Sequence, residues 1–132
     1  MGLSPLGSQL VATRGSVLWD SGPVASGAVI DSPLLDVTCL DGLYVVADNQ
    51  GLATAALTAD VFLDDGSTAI DSAIAVRTVA AGAKERGTIG SNLQLGSTPA
   101  LNFCLSMPLP TKMKLHLAAA GAATRRLTVF GR

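Results

Sequence analysis

The sequence predicts an all-β fold: an antiparallel β-sandwich, jelly-roll-like or of another Greek-key kind, preceded by an extended N-terminal arm. Three observations carry this expectation. Short apolar-polar alternations recur along the chain from Ser16 onward, and period-two alternation puts successive side chains on opposite faces of a strand. Gly, Pro, Asp and Ser punctuate those segments at short intervals, as tight connections require. No stretch of useful length repeats its apolar residues at helical spacing. At 132 residues the chain fits one domain with a single core, with an arm over residues 1–15 and the sandwich over 16–132.

The elements follow in order. Residues 1–15 are rich in Gly, Ser and Leu; Leu3, Leu6, Leu10 and Val11 make the segment too apolar for a solvated tail, so it is expected to order against a partner. Ser16-Val17-Leu18-Trp19-Asp20 reads as a strand ended by Ser21-Gly22-Pro23. Gly27-Ala28-Val29-Ile30-Asp31 is a second, stopped at Ser32-Pro33 because proline donates no ladder hydrogen bond. Leu35 to Cys39 and Leu43 to Ala47 flank Leu40-Asp41-Gly42, a tight connection with Gly42 supplying a positive φ. The clearest hairpin has Leu57, Ala59, Val61 and Leu63 alternating with Thr58, Asp60, Phe62 and Asp64. It turns at Asp65-Gly66, which predicts a type I′ turn. On the return, Ile70, Ile74 and Val76 share one face, and Asp71, Ala73, Ala75 and Arg77 the other. Lys84-Glu85-Arg86 reads as an exposed loop leading to a short strand near Thr88-Ile89. Residues 91–111 are the least regular, with one helical turn over residues 100–105. Met113, Leu115 and Leu117 then face inward, and Leu127 and Val129 do so in the closing strand. The total is about eight or nine short strands.

Hydrophobic residues make up 48% of the chain and charged residues only 14%, yet no apolar run is long enough to cross a membrane. A chain so poor in charge is expected to bury part of its exterior against other subunits. Net charge is −1, which argues against a nucleic-acid partner, since phosphate neutralisation needs a basic excess. Arg125-Arg126 reads as a solvated pair. Cys39 and Cys104 lack metal-ligand spacing and read as buried free thiols, with a disulfide left open. The start of the chain lacks the marks of a secretory leader or lipid anchor.

Catalytic chemistry finds no constellation. His116 is the single histidine and sits at an outward strand position, a surface or interface imidazole rather than a base with an oriented nucleophile. Zinc would need about four clustered ligands. Asp60, Asp64 and Asp65 form the densest acidic group, but turn chemistry accounts for them and the remaining ligands of a calcium loop are missing. The expectation is no enzyme, no metal and no cofactor. Phe62 and Phe130 fall on the parity opposite the aliphatic residues of their strands; with Phe103 and the arm residues Leu3, Leu6, Leu10 and Val11 they are the expected interface positions.

Several stretches together carry a family likeness: Ser16-Val-Leu-Trp-Asp-Ser-Gly-Pro-Val-Ala-Ser-Gly-Ala, Leu43-Tyr-Val-Val-Ala-Asp-Asn, the Asp65-Gly66 hairpin, and the close from Pro108-Leu-Pro-Thr-Lys to Arg125-Arg-Leu-Thr-Val-Phe-Gly-Arg. The chain resembles capsid cement (decoration) proteins of tailed bacteriophages, of the jelly-roll kind. The resemblance implies a virion protein on the outer capsid surface, made in the host cytoplasm, that binds the phage major capsid protein across neighbouring subunits as a dimer or trimer, with no catalytic residues to carry over. A phage tail or baseplate protein and a carbohydrate-binding module are the rival readings; one Trp and one Tyr are few for stacking on sugar rings. On this reading residues 1–15 and 91–111 grip the neighbours. Deleting residues 1–15 is therefore expected to weaken head binding in a co-sedimentation assay, and undiminished binding would remove the arm from the account.

Overall fold

The computed structural model describes residues 16–25, 29–90, 101–121 and 123–131; the arm over residues 1–15 lies outside these. Strands are β1 (Val17–Asp20), β2 (Ile30–Asp31), β3 (Leu35–Asp36), β4 (Gly42–Asn49), β5 (Ala55–Phe62), β6 (Ala69–Val79), β7 (Ala83–Gly90), β8 (Phe103–Ser106), β9 (Lys112–Ala119) and β10 (Arg125–Gly131). The described residues form no helix, hence none long and apolar enough to cross a membrane.

Two sheets result. One has the order β1-β10-β4-β7-β8; the other runs β2-β9-β5-β6, with β3 also on β9. The antiparallel pairs are nested: β5 with β6, β4 with β7, β2 and β3 with β9, and β1 with β10. A single long hairpin, folded back on itself, would contain the same pairs. Two further antiparallel pairs, β10 with β4 and β9 with β5, join the nested units into sheets. The exception is β8, which runs parallel to β7.

Alternation decides which side of each strand is buried. Leu43, Val45 and Ala47 of β4, Leu57 and Ala59 of β5, Leu115 and Leu117 of β9, and Leu127 and Val129 of β10 are almost wholly enclosed and belong to one cluster. Both sheets thus bury a face in a common core, and each such leucine contributes roughly 1.5–3 kcal/mol relative to exposure. Phe103 of β8 lies directly opposite Gly87 of β7, where any Cβ would overlap its ring and carbonyl. Gly87 is therefore what admits the aromatic ring against the core.

Several expectations need correction. The connection after β3 carries its positive φ at Cys39 (69°), not Gly42, because it is no hairpin: β3 lies in one sheet and β4 in the other. The β5–β6 loop is not type I′, which needs positive φ at both central residues; only Gly66 has it (72°). The Leu63 carbonyl accepts from Gly66 N–H, the Leu63 N–H reaches Thr68 O, and the Asp65 carboxylate accepts from the N–H groups of Thr68 and Ser67 at 2.9 Å. Those backbone donors hold the Asp65 carboxyl down at about 2. Residues 84–86 are strand, not loop, and the helical turn over residues 100–105 is replaced by β8. Along β6 the register shifts, so Ile74 opposes Ala59 and Arg77 opposes Leu57; both therefore face inward, and the simple alternation breaks. The cysteines are free but exposed rather than buried.

Two edge strands share a device. At Ser21 the backbone N–H donates to Leu127 O (2.9 Å) while the hydroxyl accepts from Leu127 N–H (3.0 Å). At Ser32 the N–H donates to Leu115 O (2.8 Å) and the hydroxyl accepts from Leu115 N–H (2.8 Å). Each hydroxyl donates in turn to the next residue's carbonyl, at 2.7 and 2.8 Å. A proline follows closely in both cases (Pro23, Pro33), and the serine side chain supplies the ladder acceptor where the strand is about to leave. Ser32→Ala would strand a buried N–H and is expected to destabilise by about 1–2 kcal/mol, read as a lower urea midpoint. Ser21→Ala, at a half-buried position open to water, is expected to cost less.

Candidate functional site

The outward positions of β9, β5 and β2 collect most of the polar chemistry. Lys112, Lys114 and His116 alternate with buried Met113, Leu115 and Leu117; Asp60 and Phe62 alternate with buried Ala59 and Val61. Register places His116 between Asp31 of β2 and Thr58 of β5, with Asp60 diagonally adjacent. His116 Nδ1 lies 2.6 Å from Asp31 Oδ1 and Nε2 lies 2.8 Å from Asp60 Oδ2. The second Asp60 oxygen accepts from the Ala73 N–H of β6 at 2.8 Å. Ala73 holds a positive φ of 55°, and its N–H bonds there across the strand. The cluster thus spans four strands: β2, β9, β5 and β6.

Its electrostatics follow. Burial alone would lower the His116 pKa, but hydrogen bonds to Asp31 and Asp60, with their charge, outweigh it and the value is raised above 6.5. Burial would raise the Asp60 carboxyl, yet the Ala73 N–H, His116 and Lys114 bring it below 3.8. With one proton on each ring nitrogen the imidazolium donates to both carboxylates at once. An imidazole so engaged is a strap between strands; neither nitrogen faces a nucleophile. Flanking it, Lys112 pairs with Asp36 at 3.3 Å, and the Lys114 ammonium sits 5.5 Å from the Phe62 ring centroid, within cation–π range.

The outer face of the other sheet repeats the pattern. Arg126 donates through Nε to Asp20 at 2.9 Å, and Thr128 Oγ donates to the same carboxylate at 3.1 Å. Arg126 and the Gly22 N–H hold Asp20 far below the usual carboxylate range. Tyr44 and Phe130 meet at 5.7 Å between ring centroids. A shallow depression of about 230 Å³ lies between Val46, Asp48, Lys84, Arg126, Thr128 and Phe130.

The expected interface residues do not gather. Phe62 and Phe130 point outward on opposite sheets, each half-buried; Phe103 packs against the core; Leu3, Leu6, Leu10 and Val11 lie outside the described residues. Asp60, Asp64 and Asp65 are equally separate: Asp60 serves His116, Asp64 accepts from the Thr111 hydroxyl, and Asp65 holds its own loop. Among the described residues no cluster of three or more His, Cys, Asp or Glu is arranged to hold a metal. Cys104 Sγ accepts from Thr88 Oγ at 3.2 Å.

Three features were not anticipated. Arg125 is 2% exposed rather than solvated, and Glu85 is a buried carboxylate whose Oε1 lies 2.6 Å from Arg77 Nε and whose Oε2 accepts from Ala80 N–H at 2.8 Å. That contact pins β6 of one sheet to β7 of the other. Strand parity was the available signal: Glu85 alternates with Lys84 and Arg86 and shares its side with Gly87 and Ile89. The third is the position of β6, whose return course to Val79 was expected but whose 11 residues form a free sheet edge, exposed along most of their length.

Searches of protein-family models, curated proteins and solved structures find no match to this chain.

The strap makes stability depend on pH from both sides. The raised His116 pKa gives a contribution complete below 6.5 and lost as pH rises through the folded value; the lowered Asp60 pKa gives one complete above 3.8 and lost as pH falls through its folded value. Urea midpoints measured against pH are expected to decline as pH rises above 6.5 in the wild type. His116→Asn should flatten that limb while leaving the acid limb from the other carboxylates. An unchanged alkaline limb in the variant would contradict the assignment.

Proposed function

We propose that this chain is a structural virion protein: a capsid cement (decoration) protein with a jelly-roll body that binds the outer head surface across neighbouring major capsid subunits and stabilises the shell. The observation that carries this reading is the nested strand pairing, β1 with β10, β2 and β3 with β9, β4 with β7, β5 with β6, which supports a jelly roll over other two-sheet orders. It is the architecture the sequence resemblance implies.

The surface supports the same reading. Leu52 is fully exposed in the turn after β4, and Val17, Val29, Leu63 and Ile70 are each about half exposed or more. Leu34 comes up against Gly66 at the opposite end, beside the loop that carries Leu63. Scattered exposed apolar side chains are ordinary in any protein; combined with 14% charged residues they favour contact with other subunits. The polar groups of the outer faces are engaged with one another, as in the His116 and Arg126 clusters, which suits a scaffold rather than a turnover site. The protein is read as non-catalytic and as binding neither cofactor nor nucleic acid.

Gold-labelled protein imaged by electron microscopy on particles of a phage encoding it provides the test. Label spread over the outer head surface, with heads lacking the protein bursting at lower temperature, is the expected result. Label confined to the tail or baseplate, or absent from particles, would overturn the cement assignment.

A further inference from the structure

Each sheet ends at two edges, and three of the four edges are short. β1 and β8 have four residues each, and β2 and β3 two each; shortness is itself a protection against edge-to-edge pairing. The fourth edge, β6, has 11 residues. It contains neither proline nor lysine, the usual edge guards, and its only charges between Ala69 and Val79 are Asp71 and Arg77. Nothing in the described fold covers its outer edge.

The sequence of β6 is self-complementary about Ile74. In an antiparallel pairing of two copies across a twofold axis through Ile74, residue numbers in each pair sum to 148, twice 74. Asp71 then faces Arg77 of the second copy and Arg77 faces its Asp71. Ile74 meets Ile74, and Ala73 meets Ala75. The face assignments agree: Asp71 opposes Val61, Ile74 opposes Ala59 and Arg77 opposes Leu57 on β5, all three inward partners, so the charges and the isoleucine would stand on one side of the joint sheet. Between Asp71 and Arg77 the irregularities match as well. Along β6, Ser72 and Ala73 together face Asp60, Val76 is the extra residue between Ala75 and Arg77, and Ile70, the extra residue between Ala69 and Asp71, lies just outside the Asp71–Arg77 span. Bulges ordinarily spoil edge pairing, but under this register Ser72 lies opposite Val76, so one bulge falls against the other.

Arg77 remains available. Its Nε engages Glu85, yet its side chain is 39% exposed, and an arginine carries further donors in a planar fork. Asp71 Oδ1 accepts from the neighbouring Ser72 N–H and the residue is exposed. Opposite charges directly across an antiparallel pair are stabilising, like charges destabilising.

We infer that β6 is the homodimer interface: two copies of this chain join antiparallel edge to edge about Ile74, with reciprocal Asp71–Arg77 pairs setting the register. The occupant of the edge is a second copy, which the charge symmetry selects over an unrelated strand. The inference deepens the assembly reading given above and rests on it only for the expectation of self-association.

Sedimentation across a concentration series is expected to show a monomer–dimer equilibrium. Asp71→Lys, which turns both attractive pairs repulsive, should raise the dimer dissociation constant about tenfold or more while leaving the monomer's urea midpoint nearly unchanged. Crosslinking fixes the register. With Cys39 and Cys104 replaced by serine, Ile74→Cys places two thiols on the axis at a separation a disulfide can span, and mild oxidation should give a covalent dimer. Thr78→Cys, whose counterpart is Ile70, should not crosslink. A monomer at every concentration, a dimer indifferent to Asp71→Lys, or a dimer abolished by deleting residues 1–15 but not by Asp71→Lys would each overturn the proposal. If head binding fails while the Ile74→Cys crosslink forms, the cement reading falls and the edge register stands.

Discussion

A guanidinium with no carboxylate partner among the described residues closes one end of this molecule. Arg125 Nε donates to Asn49 Oδ1 at 3.0 Å, Nη1 to Gly121 O at 3.0 Å and Nη2 to Ala120 O at 3.2 Å. Asn49 in turn accepts from Gly51 N–H and donates Nδ2 to Ala53 O at 2.9 Å and to Ala80 O at 3.3 Å. The Arg125 backbone exchanges both hydrogen bonds with Val24. The chain crosses between sheets at each of these places: from β1 to β2 past Val24, from β4 to β5 past Gly51 and Ala53, from β6 to β7 past Ala80, and from β9 to β10 past Ala120 and Gly121. One buried polar node therefore satisfies carbonyls of the crossovers that hydrogen bonds within the sheets leave unpaired. Gly51 is required here for space, because a Cβ would stand 2.5 Å from Arg125 Nη2.

Such a node suits a protein whose interior is largely apolar. A buried cation loses its hydration, and removing a partner would leave it uncompensated, a loss of several kcal/mol. Directional donors also specify geometry where leucine and valine packing does not: the planar fork fixes the crossovers against one another, while the apolar cluster between the sheets supplies the bulk of the driving force. The Arg77–Glu85 pair performs a smaller version of this at the β6–β7 crossover. It ties β6 to the partner sheet near Val79, while the strand from Ala69 to Ala73 is exposed.

The polar nodes explain where sequence reading succeeded and where it did not. Alternation located β5, β9 and β10 and the inward set Leu115, Leu117, Leu127 and Val129, because a core-facing strand exposes its period directly. The same parity places Asn49 with Leu43, Val45 and Ala47, Glu85 with Ile89, and Arg125 with Leu127; residue class overrode it, since charged residues are rarely enclosed. Their partners come from distant turns, which no local pattern displays. The positive φ at Cys39 and Ala73 was illegible for a related reason: neither residue type favours it, Ala73 being held across the strand by Asp60 and Cys39 lying in the turn closed by Leu40 N–H to Val37 O. The β6 bulge at Ser72 and Ala73 faces Asp60, whose carboxylate takes the Ala73 N–H, a match settled across strands. The outward aspect of His116, Phe62 and Phe130 followed from parity, but which carboxylates flank the imidazole did not.

The outer faces bear on assembly through what their charges leave over. Asp31 and Asp60 flank His116, Asp36 meets Lys112, and Asp20 holds Arg126, so much of a small complement of charge is engaged within the chain. With a net charge of −1, long-range repulsion between copies is weak, and charge near zero favours association. Approach is then governed by edges and exposed apolar side chains rather than by a field. On a surface of that kind a single opposed pair can choose the register without contributing much affinity. Asp71 and Arg77 are suited to that role because they are the two charges on the one long edge, and because the symmetry of their placement makes the strand its own complement.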